Sequence, residues 1–368
     1  MSDEAHILSY SGGKDSTAMV TYAMERDIPF RSVMADVGNE HPWTMEYVRT
    51  LHEKLDIAPV EIITPHFPES DFARKRNYID TKWREQGISD AICDEAMEHT
   101  VPSGNQFLDA CILRSGFPGP KGGRFCTDRL KIEPVREQVY QPLWDAGQLV
   151  YSWQGIRREE SIARRDLDHF QQINYTFGHS AIVVRPLLHW SLEDVWRQHK
   201  RHGIEPNPLY KHGAKRVGCW PCIYGRKDEI ALIARLTPDQ IDRLEVWEAV
   251  MSKVTKRRPS QATFFPASQL PEWRDQIRYE PARDDDGNEI WLDDGGERVE
   301  ADHVDEDGNP AIQQFDRINP PIDHTLHGIR AHVDWASTTR GGRQYDLLPV
   351  TDIRQDMATD CGSWGVCE

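Results

Sequence analysis

Ser11-Gly12-Gly13-Lys14-Asp15-Ser16 stands between a short apolar run, His6–Tyr10, and a helix-like stretch, Ser16–Glu25. Paired glycines let a backbone turn tightly and bring its N–H groups close to an anion. A helix that opens there adds unpaired donors and a partial positive charge. Lys14 and Ser16 are then placed to reach phosphate oxygens. The spacing is not that of the Walker loop, which needs four residues between its first glycine and the Gly-Lys pair.

Outward from this loop, strand and helix patterns alternate. Strands are predicted over Arg31–Ala35, Val60–Ile63, Leu149–Gln154 and Ile182–Pro186. Helices are predicted over Thr44–Leu55, Phe72–Gln86, Asn105–Ser115, Ile132–Ala146, Leu192–His202 and Lys227–Leu236. Such alternation argues for an α/β fold, a doubly wound parallel sheet with helices on both faces. Composition shifts after about residue 255. Residues 280–307 hold 13 acids with Asp-Gly turns at Asp286-Gly287, Asp294-Gly295 and Asp307-Gly308, and read as an exposed hairpin or meander. The Asp/Gly spacing lacks the calcium-loop order. The expected division is residues 1–235, carrying the loop, and 236–368, a C-terminal region with the acidic insert and a cysteine-bearing tail.

The 368 residues carry 44 Lys+Arg against 60 Asp+Glu, a net charge of −16. With 38% hydrophobic and 28% charged residues, the chain can build a core and is not of disordered composition. No apolar run is long enough for a spanning helix, and the acidic start leaves no room for a signal peptide, so no membrane contact and a cytoplasmic setting are expected. Bulk charge disfavours non-specific nucleic-acid binding but leaves room for a local basic groove. Thirteen of the 60 acids lie in residues 280–307, while the loop and Arg157–Arg165 are locally basic.

Seven cysteines are present: Cys93, Cys111, Cys126, Cys219, Cys222, Cys361 and Cys367. Without an export signal, metal or redox chemistry is the better expectation than a disulfide framework. Cys93 and Cys111 read as small buried apolar residues.

Ser11–Ser16 resembles the PP-loop of the ATP pyrophosphatases. Further segments resemble the phosphoadenosine phosphosulfate (PAPS) reductase family: Ala35-Asp36-Val37-Gly38-Asn39-Glu40-His41-Pro42, Gly155-Ile156-Arg157-Arg158-Glu159-Glu160-Ser161 with Arg164, Arg185-Pro186-Leu187, and Asn207-Pro208-Leu209-Tyr210. The resemblance covers roughly residues 6–235. Val37 stands where the family has threonine. Arg124–Pro134 and Gly218–Cys222 resemble the cysteine segments of its iron–sulfur subtype, with Thr127 in place of the second cysteine.

The resemblance implies a [4Fe–4S] cluster on Cys126, Cys219 and Cys222, in a helical subregion, with Cys361 or Cys367 as a fourth ligand or one iron left open. A structural zinc on Cys219, Cys222, Cys361 and Cys367, or no metal, are the alternatives. It also implies an adenine nucleotide, ATP or a relative, held by Ser11, Gly12, Gly13, Lys14, Asp15, Ser16, Asp36, Lys131, Arg157 and Arg164, with Mg²⁺ as an expected companion. Lys14, Asp15 and the tail thiol of Cys361 are the catalytic candidates. The tail Asp360-Cys361-Gly362 resembles the reductases' nucleophile segment, with Trp364 where histidine is expected.

Three functions follow. In ATP-dependent sulfur transfer, an acceptor (a small molecule or a nucleic acid) is adenylated with release of pyrophosphate. In a sulfonucleotide reductase, Cys361 attacks the sulfur of PAPS or adenylyl sulfate. In a non-catalytic accessory protein of a virus or mobile element, nucleotide and cluster are only held. An electron- or sulfur-donor protein is an expected partner, and a homodimer an expected assembly. The intact loop favours the first function.

Overall fold

The computed structural model describes residues 3–119, 123–256, 262–293, 295–304 and 309–339. Ile7 and Leu8 sit on strand β1 (Glu4–Ser9), and both are buried because one faces each layer of helices. The loop leads into α1 (Lys14–Met24), then β2 (Phe30–Ala35), α2 (Pro42–Leu55) and β3 (Glu61–Ile63). Pro42 starts α2 where its missing N–H costs nothing, and the His41 ring accepts from the Trp43 N–H at 3.0 Å. Beyond lie β4 (Leu149–Trp153), β5 (Phe170–Asn174) and β6 (Ser180–Val184).

The sheet order is β3-β2-β1-β4-β6-β5. Every pairing is parallel except β5 with β6, which is antiparallel in the register Phe170↔Val184. The expected doubly wound sheet is therefore mostly parallel, corrected by one edge strand that the sequence did not announce. Its residues, Phe-Gln-Gln-Ile-Asn, are nearly all exposed and show no apolar alternation. On one face Met19, Val20, Val48 and Leu51 cover Leu8 and Trp153. On the other, Val139 and Tyr140 of a helical run over residues 125–145 cover Ile7, Val33 and Val150. The chain winds from β1 outward through β2 and β3, then returns to β4 on the opposite side. The crevice between β1 and β4 is thus the switch point where such sheets take ligands.

The third apolar cluster joins Phe107, Leu108 and Ile112 of Gln106–Arg114 to Ile233, Leu244, Trp247, Ile329 and Trp335. Helices Lys227–Leu236, Pro238–Lys253 and Ile329–Ser337 meet there. Further along, the described residues form short antiparallel strands, Trp291–Leu292 between Arg298–Val299 and Ile312–Gln313, and Arg278–Pro281 beside Phe315–Ile318. No helix among the described residues is long and apolar enough to cross a membrane.

Glu248 is 2% exposed and accepts the Phe264 N–H at 2.7 Å and the Ile329 N–H at 2.9 Å, fastening a helix start. Burial pushes its carboxyl up to about 7 despite those donors. The folded state therefore holds a proton that the unfolded chain releases near pH 4.5. The stability this proton contributes is complete below that point and is lost as pH rises through about 7. Thermal melts from pH 4.5 to 8 are expected to show this decline, and Glu248→Gln is expected to remove it. Parallel profiles for the two proteins would refute the assignment.

Candidate functional site

The Ser11–Ser16 turn needs a positive φ at Gly12, +77°, and a Cβ there would lie 3.0 Å from Thr44 Cγ2 and from Val48 Cγ2. Inside the turn, the Ser11 and Ser16 hydroxyls lie 3.1 Å apart, and the Ser16 hydroxyl donates to the Gly13 carbonyl at 3.1 Å. The Gly13 N–H donates to Ser11 Oγ at 3.3 Å. Three residues from a distant segment brace the turn from outside. The Lys14 N–H donates to the Tyr210 hydroxyl at 3.0 Å, His199 Nε2–H donates to the Lys14 carbonyl at 2.7 Å, and the Asn207 amide donates to the Gly12 carbonyl at 3.3 Å. Burial lowers the His199 pKa, which keeps the ring neutral.

Asp15 is 0% exposed and lies between two cations. Lys14 Nζ is 2.6 Å from one carboxylate oxygen, and Arg157 Nε donates to the other at 2.5 Å. Arg157, also buried, reaches Glu159 and Glu160, and Glu160 in turn pairs with Arg164. Arg158 bonds the Leu167 carbonyl, while Arg165 is exposed. A Cβ at Gly155 would meet the Asp15 carbonyl carbon at 3.1 Å and the Ser16 nitrogen at 3.2 Å, so the two loops touch backbone to backbone.

Between these loops, at the C-terminal ends of β1 and β2, opens a cleft. Ser11, Ser16 and Gly155 line one side, Lys131 and Arg164 supply positive charge, and Val33, Met34 and Ile156 supply apolar walls. Apolar walls with a few convergent polar groups suit a nucleotide, with phosphates on the loop and cations. Glu40 also lines the cleft. Burial first raises its carboxyl, to about 8, against the pull of Lys131, and a hydrogen bond to Asp36 adds to the rise. Glu40 therefore holds a proton beside Lys131 at neutral pH.

Of the expected nucleotide residues, Ser11, Ser16, Lys131 and Arg164 come together on the cleft. Lys14, Asp15 and Arg157 are buried behind the loop. Asp36 closes its own turn, accepting the Gly38 N–H at 2.9 Å. His199, Glu40 and Gly155 were not among the expected site residues. A histidine on an amphipathic helix and a glycine after a strand carry no local mark of a partner so far away in sequence.

Cys93 and Cys111 are fully buried, as expected. Cys126 opens the helical run beside Cys111. Cys219 and Cys222 occupy one loop, Cys219 paired by its backbone with Glu40 and Cys222 beside Arg216. Cys361 and Cys367 lie outside the described residues. Among the described residues no three His, Cys, Asp or Glu side chains gather closely enough to hold a metal ion. A [4Fe–4S] cluster takes four ligands, and the two tail cysteines expected to offer the fourth are among the residues not described. Metal analysis of anaerobically purified protein separates the readings: iron for a cluster, zinc without iron for a structural knuckle.

The family model of the phosphoadenosine phosphosulfate reductase domain matches residues 5–224. A protein of Escherichia phage 186, described as an uncharacterized 37.8 kDa protein in the gpa 5' region, is 37% identical over 379 residues, covering 99% of this chain and 96% of its own. The adenosine 5'-phosphosulfate reductase of Anoxybacillus flavithermus is 36% identical over 98 residues, 26% of this chain and 37% of the reductase. That match spans little more than a third of the reductase. Among solved structures, the PAPS reductase of Candida auris in its phosphate complex has a TM-score of 0.35 and 18% identity, covering 59% of this chain and 82% of that one.

Proposed function

Since the chain belongs to the phosphoadenosine phosphosulfate reductase domain family, we propose that it is an adenine-nucleotide enzyme of sulfur metabolism whose reaction is ATP-dependent sulfur transfer. The observation that carries this reading is the cleft, where two loop hydroxyls, Ser11 and Ser16, face two cations, Lys131 and Arg164, across a space open to a nucleotide. The start of α1 turns the positive end of its dipole to the phosphates. Lys131 and Arg164 offset the charge that grows on the departing pyrophosphate. An oxygen of the acceptor attacks the α-phosphorus, its bond to phosphorus forms, and the α–β bond breaks with release of pyrophosphate. Sulfide then attacks the activated acceptor, its bond to the acceptor forms, and AMP leaves with the acceptor's former oxygen. Asp15 never meets substrate in this scheme. It is a positioning residue that holds Lys14 and Arg157.

The reductase reading has its own support in the family match and in the stretch shared with an adenosine 5'-phosphosulfate reductase. Calorimetric titration with ATP, adenylyl sulfate and PAPS, followed by product analysis, separates the two. The expected result is ATP binding, with AMP and pyrophosphate formed once acceptor and sulfur donor are supplied. Sulfite released from a sulfonucleotide, with no ATP binding, would establish the reductase instead. ATP bound without turnover under all conditions would favour the non-catalytic reading.

A further inference from the structure

Helix Glu69–Tyr78 carries two acids, Glu69 and Asp71, and three cations, Arg74, Lys75 and Arg76, and the acids are already engaged. Glu69 pairs with Arg76 at 2.5 Å and Asp71 with Arg74, which leaves Lys75 without a carboxylate. Arg114, at the end of Gln106–Arg114, and Lys256 lie close enough to Lys75 to repel it. Among the described residues, Lys256 donates to the neutral Gln86 amide oxygen at 2.7 Å. Among the described residues none of the three forms an ion pair with a carboxylate. Burial, then the repulsion of Arg114 and Lys256, brings the Lys75 ammonium down to about 8. In a chain of net charge −16, three adjacent cations without counter-charge are a place where an external anion restores the balance.

Aromatic rings lie among these cations. Lys75 Nζ is 5.5 Å from the Tyr78 ring centroid and 5.7 Å from that of Trp83, and Tyr78 is 46% exposed. The Arg114 guanidinium lies 5.3 Å from the Phe125 ring, at the start of the helical run over residues 125–145. The same run carries Lys131 into the cleft, about 9 Å further along at roughly 1.5 Å per residue. Cations that track a backbone, beside an exposed ring on which a base can stack, are the elements of single-strand recognition.

We propose that the face formed by Lys75, Arg114, Lys256 and Tyr78 binds the phosphodiester backbone of a single-stranded nucleic acid. Resting on the ATP-dependent reading above, this makes a nucleic acid the sulfur acceptor presented to the cleft.

The test is fluorescence anisotropy on the full chain with labelled single-stranded DNA, single-stranded RNA and duplex DNA of about 20 nucleotides, over about 50 to 200 mM KCl. Three phosphate contacts on a single strand give an expected slope of log K against log salt of about −2. The triple variant K75A/R114A/K256A is expected to bind at least about tenfold more weakly, with ATP affinity and melting temperature unchanged. Tyr78→Ala alone is expected to weaken binding about fivefold or more without changing the salt slope. The DNA and RNA arms identify the acceptor. Equal affinity of triple variant and wild type overturns the proposal, as does binding to phosphatidylserine vesicles with none to oligonucleotides. If oligonucleotide binding is absent while ATP is bound and cleaved, only this inference falls. If oligonucleotides bind through these residues and ATP does not bind, only the ATP-dependent reading falls.

Discussion

Asp15→Ala is expected to cost about 3–5 kcal/mol of stability and to reduce nucleotide turnover to background, because it strips the carboxylate from buried Lys14 and breaks its link to Arg157. The carboxylate is 0% exposed, with Lys14 Nζ at 2.6 Å and Arg157 Nε at 2.5 Å. Lys14 is itself only 8% exposed, so water cannot replace the lost partner. Lys14 then loses its carboxylate and Arg157 keeps only Glu159 and Glu160, so the loop they brace loosens. Asp15→Asn keeps the volume and one acceptor, and is expected to fall between wild type and Asp15→Ala in chemical denaturation. Lys14→Ala is expected to abolish release of AMP and pyrophosphate while costing less stability than Asp15→Ala, since it leaves Arg157 to neutralise Asp15. An Asp15→Ala protein with wild-type denaturation midpoint and activity would show that the buried triad does not organise the site.

Gly155→Val is expected to lower nucleotide affinity by at least about tenfold, the effect of pushing one loop about half an ångström or more out of place. A Cβ at this position would sit 3.1 Å from the Asp15 carbonyl carbon, 3.2 Å from its oxygen and 3.2 Å from the Ser16 nitrogen. All three neighbours are backbone, and that backbone is pinned by Tyr210, His199 and Asn207, so it has little room to give. The control is Gly116→Ala, where no atom lies within 4 Å of the added carbon, and it is expected to bind nucleotide as wild type does. Calorimetric titration of ATP into both variants reads the difference. Equal affinities would mean that the two loops do not define the nucleotide's seat.

The strand, turn and helix around Ser11–Ser16 were legible in the sequence because each has a local signature. The apolar run overlaps β1 from His6 to Ser9, the paired glycines allow the turn, and the helix pattern continues through α1. Lys227–Leu236 is observed over the expected residues, and α1, α2 and the first three strands differ from expectation by one or two residues at their ends. The helical run expected from Ile132 instead begins at Phe125, before Cys126, because Leu130 and Phe125 pack into the core. Strand β5 left no signal, since an edge strand held by pairing to β6 needs no buried face.

By itself, then, the sequence determined a parallel sheet, the paired-glycine turn at its centre, and the separation along the chain of the acids at 280–307 from the Arg157–Arg165 segment. These follow from residue type and short-range period, which act over a few positions. Only the tertiary structure decided that Asp15 is buried between Lys14 and Arg157, that His199, Asn207 and Tyr210 hold the loop, and that Lys75, Arg114 and Lys256 share one face. Those partners are separated by up to 196 positions along the chain. Nothing in local propensity encodes which distant charge will lie opposite another. That is set by how the helices close over the sheet, and a charge acts through space rather than along the chain.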